Sequence, residues 1–471
     1  MNRSIFAGLE AFGDAIAVLQ LGRAPVSYAE LMKDADAIGA TVRPRTLVLM
    51  VCRNDYHALS AYVGLLRADA VVFLVHPSMG AEHIAALAET FRPSYMVGPA
   101  GMVGDGALVH RFGDFEVREI GHDIDYEIND SLALLLTTSG STGSRSLVRL
   151  SQHNIAYNAQ SIALYLDIRA EDRAITTMPM SYSYGFSIIN SHLVCGAGLI
   201  MCEDSLVSPK FWEAVKSLGA TTFGGVPYLF DILKKLKFDR MELPALRYVT
   251  QAGGNLGREL AEWFTAVAAE KGIEFFVMYG QTEAGPRIAY VPPRALPGKL
   301  GTIGRVVPGG EIWLEDEDGN KISGTNVPGE LIYQGENVSL GYAESRFELA
   351  NGDDNSGVLR TGDVAERDAD GFYRIIGRKK RFLKLFGHRV NLDEVEQIFT
   401  ENGYTAACTG SDGELLIFIE GSAEPQTVTK LLFDRTGINQ SAQKVVCIDA
   451  IPRNNAGKIL YPALQTLAGR N

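Results

Sequence analysis

Through the first three quarters of the chain, short continuous apolar runs alternate with segments whose apolar residues recur at helical spacing. Thr46-Leu47-Val48-Leu49-Met50-Val51 and Ala70-Val71-Val72-Phe73-Leu74-Val75 read as buried strands, and residues 57–66 between them read as a helix. Further strands are predicted over 132–136, 174–178, 221–223, 248–250 and 274–278. A chain that alternates in this way builds parallel-rich sheets covered by helices, so the expected fold class is α/β.

From Thr302 the pattern turns β-rich. Glu311-Ile312-Trp313-Leu314 and Gly329-Glu330-Leu331-Ile332-Tyr333 are strand candidates, separated by the turn residues Asp318-Gly319-Asn320. A second change follows at Arg378 to Lys384, where five of seven residues are basic. Asn391 then opens a helical pattern over 391–399, with Asp393 and Glu394 where the helix dipole favours negative charge. Strands over 414–419 and 444–448 and a helix over 427–432 complete a small α+β unit. The expected organisation is an N-terminal domain over 1–380, including a β-rich subdomain at about 302–380, and a C-terminal domain over 381–471.

Composition narrows the class. A chain of 471 residues exceeds one ordinary core, and 46% hydrophobic with 21% charged residues describes a folded globular protein. The 56 acidic residues outnumber the 44 basic ones, and a net charge of −12 stands against nucleic-acid binding. Cys52, Cys195, Cys202, Cys408 and Cys447 are scattered, which suits free thiols in a reducing compartment. The first residues carry no apolar signal core, and the longest apolar stretch, 193–202, is too short to span a bilayer. The expected location is therefore cytoplasmic, with no membrane span.

Candidate chemistry begins where the predicted strand at 132–136 empties into Thr137-Thr138-Ser139-Gly140-Ser141-Thr142-Gly143-Ser144. Small hydroxyls and glycines let backbone N–H groups converge on a phosphate. Downstream, in order, stand Ala252-Gly253-Gly254-Asn255, Tyr279-Gly280-Gln281-Thr282-Glu283, Thr361-Gly362-Asp363, Gly377-Arg378-Lys379-Lys380 and Asn455-Ala456-Gly457-Lys458. Together they resemble the adenylate-forming superfamily: acyl-CoA synthetases, adenylation domains and luciferases. The resemblance covers nearly the whole chain and implies a large N-terminal domain followed by a small mobile one. It also implies ATP-dependent activation of a carboxylic acid, release of pyrophosphate, and transfer of the acyl group to a thiol.

The resemblance implies a role for each matching residue. Thr138, Ser139, Gly140, Ser141, Thr142 and Gly143 would hold the β- and γ-phosphates. Gly253, Gly254 and Asn255 would lie along the adenine, with Tyr279 packed against it, while Asp363 would grip the ribose hydroxyls and Arg378 add a ribose or phosphate contact. Thr282 would donate to the α-phosphate and Glu283 would hold magnesium, for which one carboxylate plus phosphate oxygens suffices. Lys458 would be the catalytic cation bridging acid and α-phosphate, and Gly387 would flank the thiol channel beyond a hinge at 379–382. The acceptor that the resemblance implies is coenzyme A or the phosphopantetheine of a carrier protein.

The chain also departs from the family pattern. Ser146 stands where relatives carry a lysine, leaving Arg145 or Arg149 as substitutes for its charge; Ala456 and Tyr461 replace a serine and a basic residue around Lys458. Pro179 to Phe186 takes the place of the acid-binding segment, with Tyr182, Tyr184 and Ala252 as substrate contacts and Ile188 and Ile189 as either apolar walls or core packing. Ser183 falls where amino-acid-activating relatives place an Asp, so a fatty, aryl or other hydrophobic acid is expected. The alternatives are an adenylation enzyme for an unusual amino acid and a degenerate, non-catalytic nucleotide-binding homologue.

Overall fold

The structure, a computed structural model, describes residues 4–121, 126–137, 146–385, 388–411, 413–453 and 459–468. Its contacts gather the described residues of 1–138, 145–311 and 334–359 into one compact unit, and those of 312–333 and 360–471 into a second. Among the described residues no helix is long and apolar enough to cross a membrane.

Two large sheets build the first unit. The eight-stranded sheet runs in the order Gly341–Ala343, Leu147–Ser151, Leu132–Thr137, Val71–Val75, Leu47–Val51, Tyr95–Pro99, Phe115–Glu119, Ala107–Phe112. Its centre is parallel, and every residue of Leu47–Val51 and Val71–Val75 is buried, as strands covered on both faces require. The helix Tyr56–Arg67 starts at Asp55, whose side chain accepts from the Ala58 N–H at 2.8 Å and so satisfies a donor the helix cannot.

The nine-stranded sheet orders Arg305–Val306, Ala289–Val291, Glu274–Tyr279, Tyr248–Gln251, Thr222–Gly225, Arg173–Ile175, Gly198–Ile200, Ile16–Leu19, Val26–Ser27. Six consecutive strands, from Glu274–Tyr279 to Ile16–Leu19, are parallel. The α/β expectation is met, with one addition: both sheets end in antiparallel strands, because neighbours such as Leu132–Thr137 and Leu147–Ser151 return directly without a crossover helix. The strand expected over 174–178 ends at Ile175, and the backbone beyond it leads to the turn before the helix Ser183–Leu193.

In the second unit, a four-stranded sheet is ordered Glu311–Glu315, Gly329–Gln334, Val358–Arg367, Tyr373–Arg378. The hairpin Phe382–Leu385 and His388–Asn391 follows, then a three-stranded sheet of Ala406–Ser411, Glu414–Glu420 and Gln443–Ile448. Val395 and Phe399 of the helix Leu392–Glu401 pack with Leu415, Ile417, Val428 and Leu432 in one core. Asn391 caps that helix, its side chain accepting from the Asp393 N–H at 3.0 Å.

Candidate functional site

Parallel strands deliver their C-terminal ends to one edge, so the loops that follow them emerge together. Gly225 pairs with Gln251, and Gln251 with Val277, so the segments beginning at Val226, Ala252 and Gly280 leave the sheet side by side. Ala252 is buried and its N–H donates to Gly225 O at 3.2 Å. Gly253 has φ of 86°, in the left-handed region, and a Cβ there would lie 2.8 Å from Tyr182 Oη. Gln251 Nε2 donates to Gly254 O at 2.9 Å, closing the loop, while Asn255 accepts from the Gly257 N–H at 3.1 Å and shapes the next turn.

The Tyr-Gly-Gln-Thr-Glu segment folds back on itself. A Cβ on Gly280 would stand 1.7 Å from Pro286 O, so the chain accepts only glycine there. Gln281 Nε2 donates to Tyr279 Oη at 3.3 Å, and Thr282 and Glu283 form a short 3-10 turn. Thr282 is buried, with Oγ1 3.0 Å from Ser183 Oγ; this contact brings the segment against Pro179–Phe186 across 99 positions of sequence. Glu283 Oε1 accepts from Tyr342 Oη at 2.7 Å, and its main-chain O accepts from the Ser339 N–H at 2.8 Å. Asn337 Nδ2 donates to Ala284 O and Arg287 O, fixing the far side of the turn.

Tyr182 and Tyr184 flank Ser183. Tyr184 is buried and its hydroxyl pairs with Thr250 Oγ1 at 2.8 Å; burial raises its pKa despite the opposing charge of Arg287. Burial likewise pushes the Tyr182 phenol up to about 12, again against Arg287. Asn54 fixes the turn ahead of them, donating to Met178 O at 2.9 Å and accepting from the Met180 N–H at 3.0 Å. Behind Tyr184 a small cavity, with room for one water, is lined by Ile188, Ser191, His192, Thr222, Thr250 and Arg287 among others. Ile188 lines this cavity and packs against the core in which Ile189 is buried. His192 is neutral there: burial lowers its pKa to about 4, with Nδ1 2.8 Å from Ile188 O and Nε2 3.1 Å from Tyr248 Oη.

Arg149 does not present its charge to a phosphate. It is completely buried, and its guanidinium makes five hydrogen bonds: to Tyr342 O (2.9 Å), Leu340 O (2.8 Å), Asn351 O (2.5 Å), Gly352 O (3.0 Å) and Asp354 Oδ2 (2.5 Å). These bonds hold the segment that carries Ser339 and Tyr342 against the strand Leu147–Ser151.

In the second unit, Asp363 is 1% exposed and pairs across the strands with Arg378, whose Nε donates to Asp363 Oδ1 at 2.8 Å. Thr361 Oγ1 accepts from the Asp363 N–H at 3.1 Å. Tyr461, which replaces a basic residue, donates to Glu396 Oε2 at 3.0 Å beneath the Arg381 guanidinium, 4.0 Å from its ring centre. The phosphate-loop candidates Thr138, Ser139, Gly140, Ser141, Thr142 and Gly143, together with Arg145, Gly387 and Lys458, lie outside the described residues.

Asn54, Arg287, Asn337, Ser339 and Tyr342 are the members of the site that sequence reading missed. Each is a single polar residue with no local pattern, and only the fold brings it to the motifs. Among the described residues no three His, Cys, Asp or Glu side chains cluster as metal ligands. Glu283 alone fits magnesium, which takes one or two carboxylates and fills its octahedron with phosphate oxygens and water.

A profile of the AMP-binding enzyme family matches residues 6–343. The chain is 26% identical over 399 residues to an indoleacetate–CoA ligase of Aromatoleum aromaticum, covering 82% of this chain and 76% of that protein. It is 31% identical over 277 residues to the mitochondrial medium-chain acyl-CoA ligase ACSF2 of Rattus norvegicus, covering 56% of this chain and 43% of that protein. The O-succinylbenzoate coenzyme A synthetase (MenE) of Bacillus subtilis, solved in complex with AMP, superimposes with a TM-score of 0.80 at 19% identity, over 98% of both chains.

Proposed function

This chain belongs to the AMP-binding enzyme family, and on that premise we propose that it activates a carboxylic acid with ATP and passes the acyl group to the thiol of coenzyme A. A carboxylate oxygen attacks the α-phosphorus, the bond to the pyrophosphate oxygen breaks, and an acyl-adenylate forms. The thiolate then attacks the acyl carbonyl and AMP leaves. A carrier-protein phosphopantetheine would present the same thiol as the alternative acceptor.

The observation that carries this reading is the 3.0 Å contact between Thr282 and Ser183. It sets the residue expected at the α-phosphate beside the segment expected to hold the acid, the two groups that must meet in the first step. Thr282 would orient the α-phosphate and Glu283 would hold magnesium, which when bound neutralises phosphate charge. Tyr342, Ser339 and Asn337 fix the turn that aims both. Asp363 would grip the ribose and Arg378 would hold that carboxylate in place. Both substrates are anionic, so placing them and screening their charge supplies most of the rate. Lys458, on a C-terminal domain that would turn about the hinge at 379–382, would bridge acid and phosphate in the first step and withdraw for the second. An ordinary α-amino acid is disfavoured because Ser183 stands where its ammonium would need a carboxylate partner.

The test is acid-dependent pyrophosphate release from MgATP across fatty, aryl, dicarboxylic and amino acids, in the parent and in Lys458→Ala. Release is expected with one acid class, with K458A losing it while still converting a supplied acyl-adenylate to thioester. Equal loss of both steps in K458A would refute the two-step use of that lysine.

A further inference from the structure

Among the described residues of the first unit two arginines are buried, and they differ in what surrounds them. Arg149 satisfies its guanidinium with five hydrogen bonds, one of them to a carboxylate. Arg287 is 2% exposed, yet its guanidinium makes one long hydrogen bond to the main chain, from Nη1 to Pro286 O at 3.5 Å, interacts with the Tyr165 hydroxyl, and leaves its Nε without a hydrogen-bond partner. Among the described residues no carboxylate pairs with it. Its guanidinium carbon lies 4.4 Å from the Tyr184 ring centre, and that aromatic face is its main compensation.

A guanidinium keeps its proton in any protein environment, so this charge is fixed and its desolvation is unbalanced. It lines the small cavity in company with the polar Ser191, His192, Thr222 and Thr250 and the apolar Ile162, Leu166, Ile188 and Met278. A planar fork held against a ring is suited to a carboxylate, which it grips with two parallel N–H···O bonds.

We propose that Arg287 is the specificity-determining residue of the acid pocket and receives a second carboxylate at the far end of the acyl group, so that the substrate is a short dicarboxylic acid. This rests on the acid-activation reading and replaces the hydrophobic acid expected from sequence. The separation of the two ends sets the length: the distal carboxylate must reach Arg287 while the other meets the α-phosphate near Thr282.

The experiment compares succinate, glutarate and adipate with butyrate, valerate and hexanoate in ATP–pyrophosphate exchange. Each acid is also tested for its effect on the melting temperature in the presence of AMP. At least one dicarboxylate is expected to outperform its monocarboxylate partner. In Arg287→Met its kcat/KM should fall on the order of 100-fold, the usual consequence of removing one partner of a buried charge pair, and the preference should reverse. Arg287→Lys keeps the charge without the fork and should fall between parent and Met; it also serves if the Met variant does not fold. Exchange with monocarboxylates alone, or equal exchange by parent and R287M with a dicarboxylate, overturns the proposal and leaves acid activation standing. Should no acid support exchange, acid activation fails. A dicarboxylate that raises the melting temperature of the parent and not of R287M then still supports the Arg287 site, and no such shift overturns it.

Discussion

Replacing Arg149 by Met tests whether this buried cation is a structural strap or a phosphate ligand. The substitution removes five hydrogen bonds, four of them to main-chain carbonyls at Leu340, Tyr342, Asn351 and Gly352. Leu340 O keeps a second partner in the Asp354 N–H, and Asp354 is half exposed, so water recovers part of the loss. Counting about 1 kcal/mol net for each of the three remaining bonds gives roughly 3 kcal/mol, the lower end of the range found when one partner of a buried ion pair is removed. Against a total stability of about 5–15 kcal/mol that is a large fraction, and it corresponds to a fall in melting temperature on the order of 5–10 °C. Urea and thermal unfolding of Arg149→Met measure it directly. The strap also holds Tyr342, so pyrophosphate release should fall along with stability. A variant within about 1 kcal/mol of the parent that has nonetheless lost turnover would place the guanidinium at the phosphates and refute the reasoning.

Tyr342→Phe removes the hydroxyl that holds Glu283 and little else, because the ring is half exposed. Loss of about 1 kcal/mol of carboxylate orientation should raise the magnesium concentration for half-maximal pyrophosphate release roughly fivefold at unchanged melting temperature; an unaltered magnesium curve would remove Glu283 from the metal site. His192 gives the pH prediction. Its native pKa of about 4 lies below the unfolded value of about 6.5, so between those values the unfolded chain binds the proton and the native chain does not. Stability is therefore lost as pH falls from about 6.5 to 4, by up to about 3 kcal/mol, and His192→Gln should flatten that part of the curve relative to the parent. Parallel curves would mean that the imidazole is protonated in the fold.

The large features of this molecule were legible because they repeat. Apolar runs such as 47–51 and 71–75 can only be buried strands, and Asn391 announced its helix through a cap that the structure retains. The motif glycines were legible for the same reason: a backbone that passes 1.7 Å from where a Cβ of Gly280 would sit admits nothing else. Arg287 and Asn337 were not legible, since a lone polar residue carries its meaning only through neighbours that the fold supplies. Ile188 and Ile189 show the intermediate case. Pocket wall and core packing were both open for them; successive helical side chains point about 100° apart, and Ile189 is buried in the core while Ile188 packs against it and lines the small cavity.

The Arg149 strap also sets an order of events on the ribosome. Its partners lie 191 to 205 positions further along the chain, and Tyr342 follows Glu283 by 59. At about 5–20 residues per second, roughly 10–40 s of synthesis separate a buried-to-be cation in an apolar strand from the carbonyls that will receive it. Until residue 354 has been made, the strand Leu147–Ser151 carries a charge it cannot bury, and its edge has no partner in Gly341–Ala343. The eight-stranded sheet therefore closes late, and the turn bearing Glu283 is fixed only with that closure. A nascent chain stalled before this point would hold the sequence of the motif without its geometry.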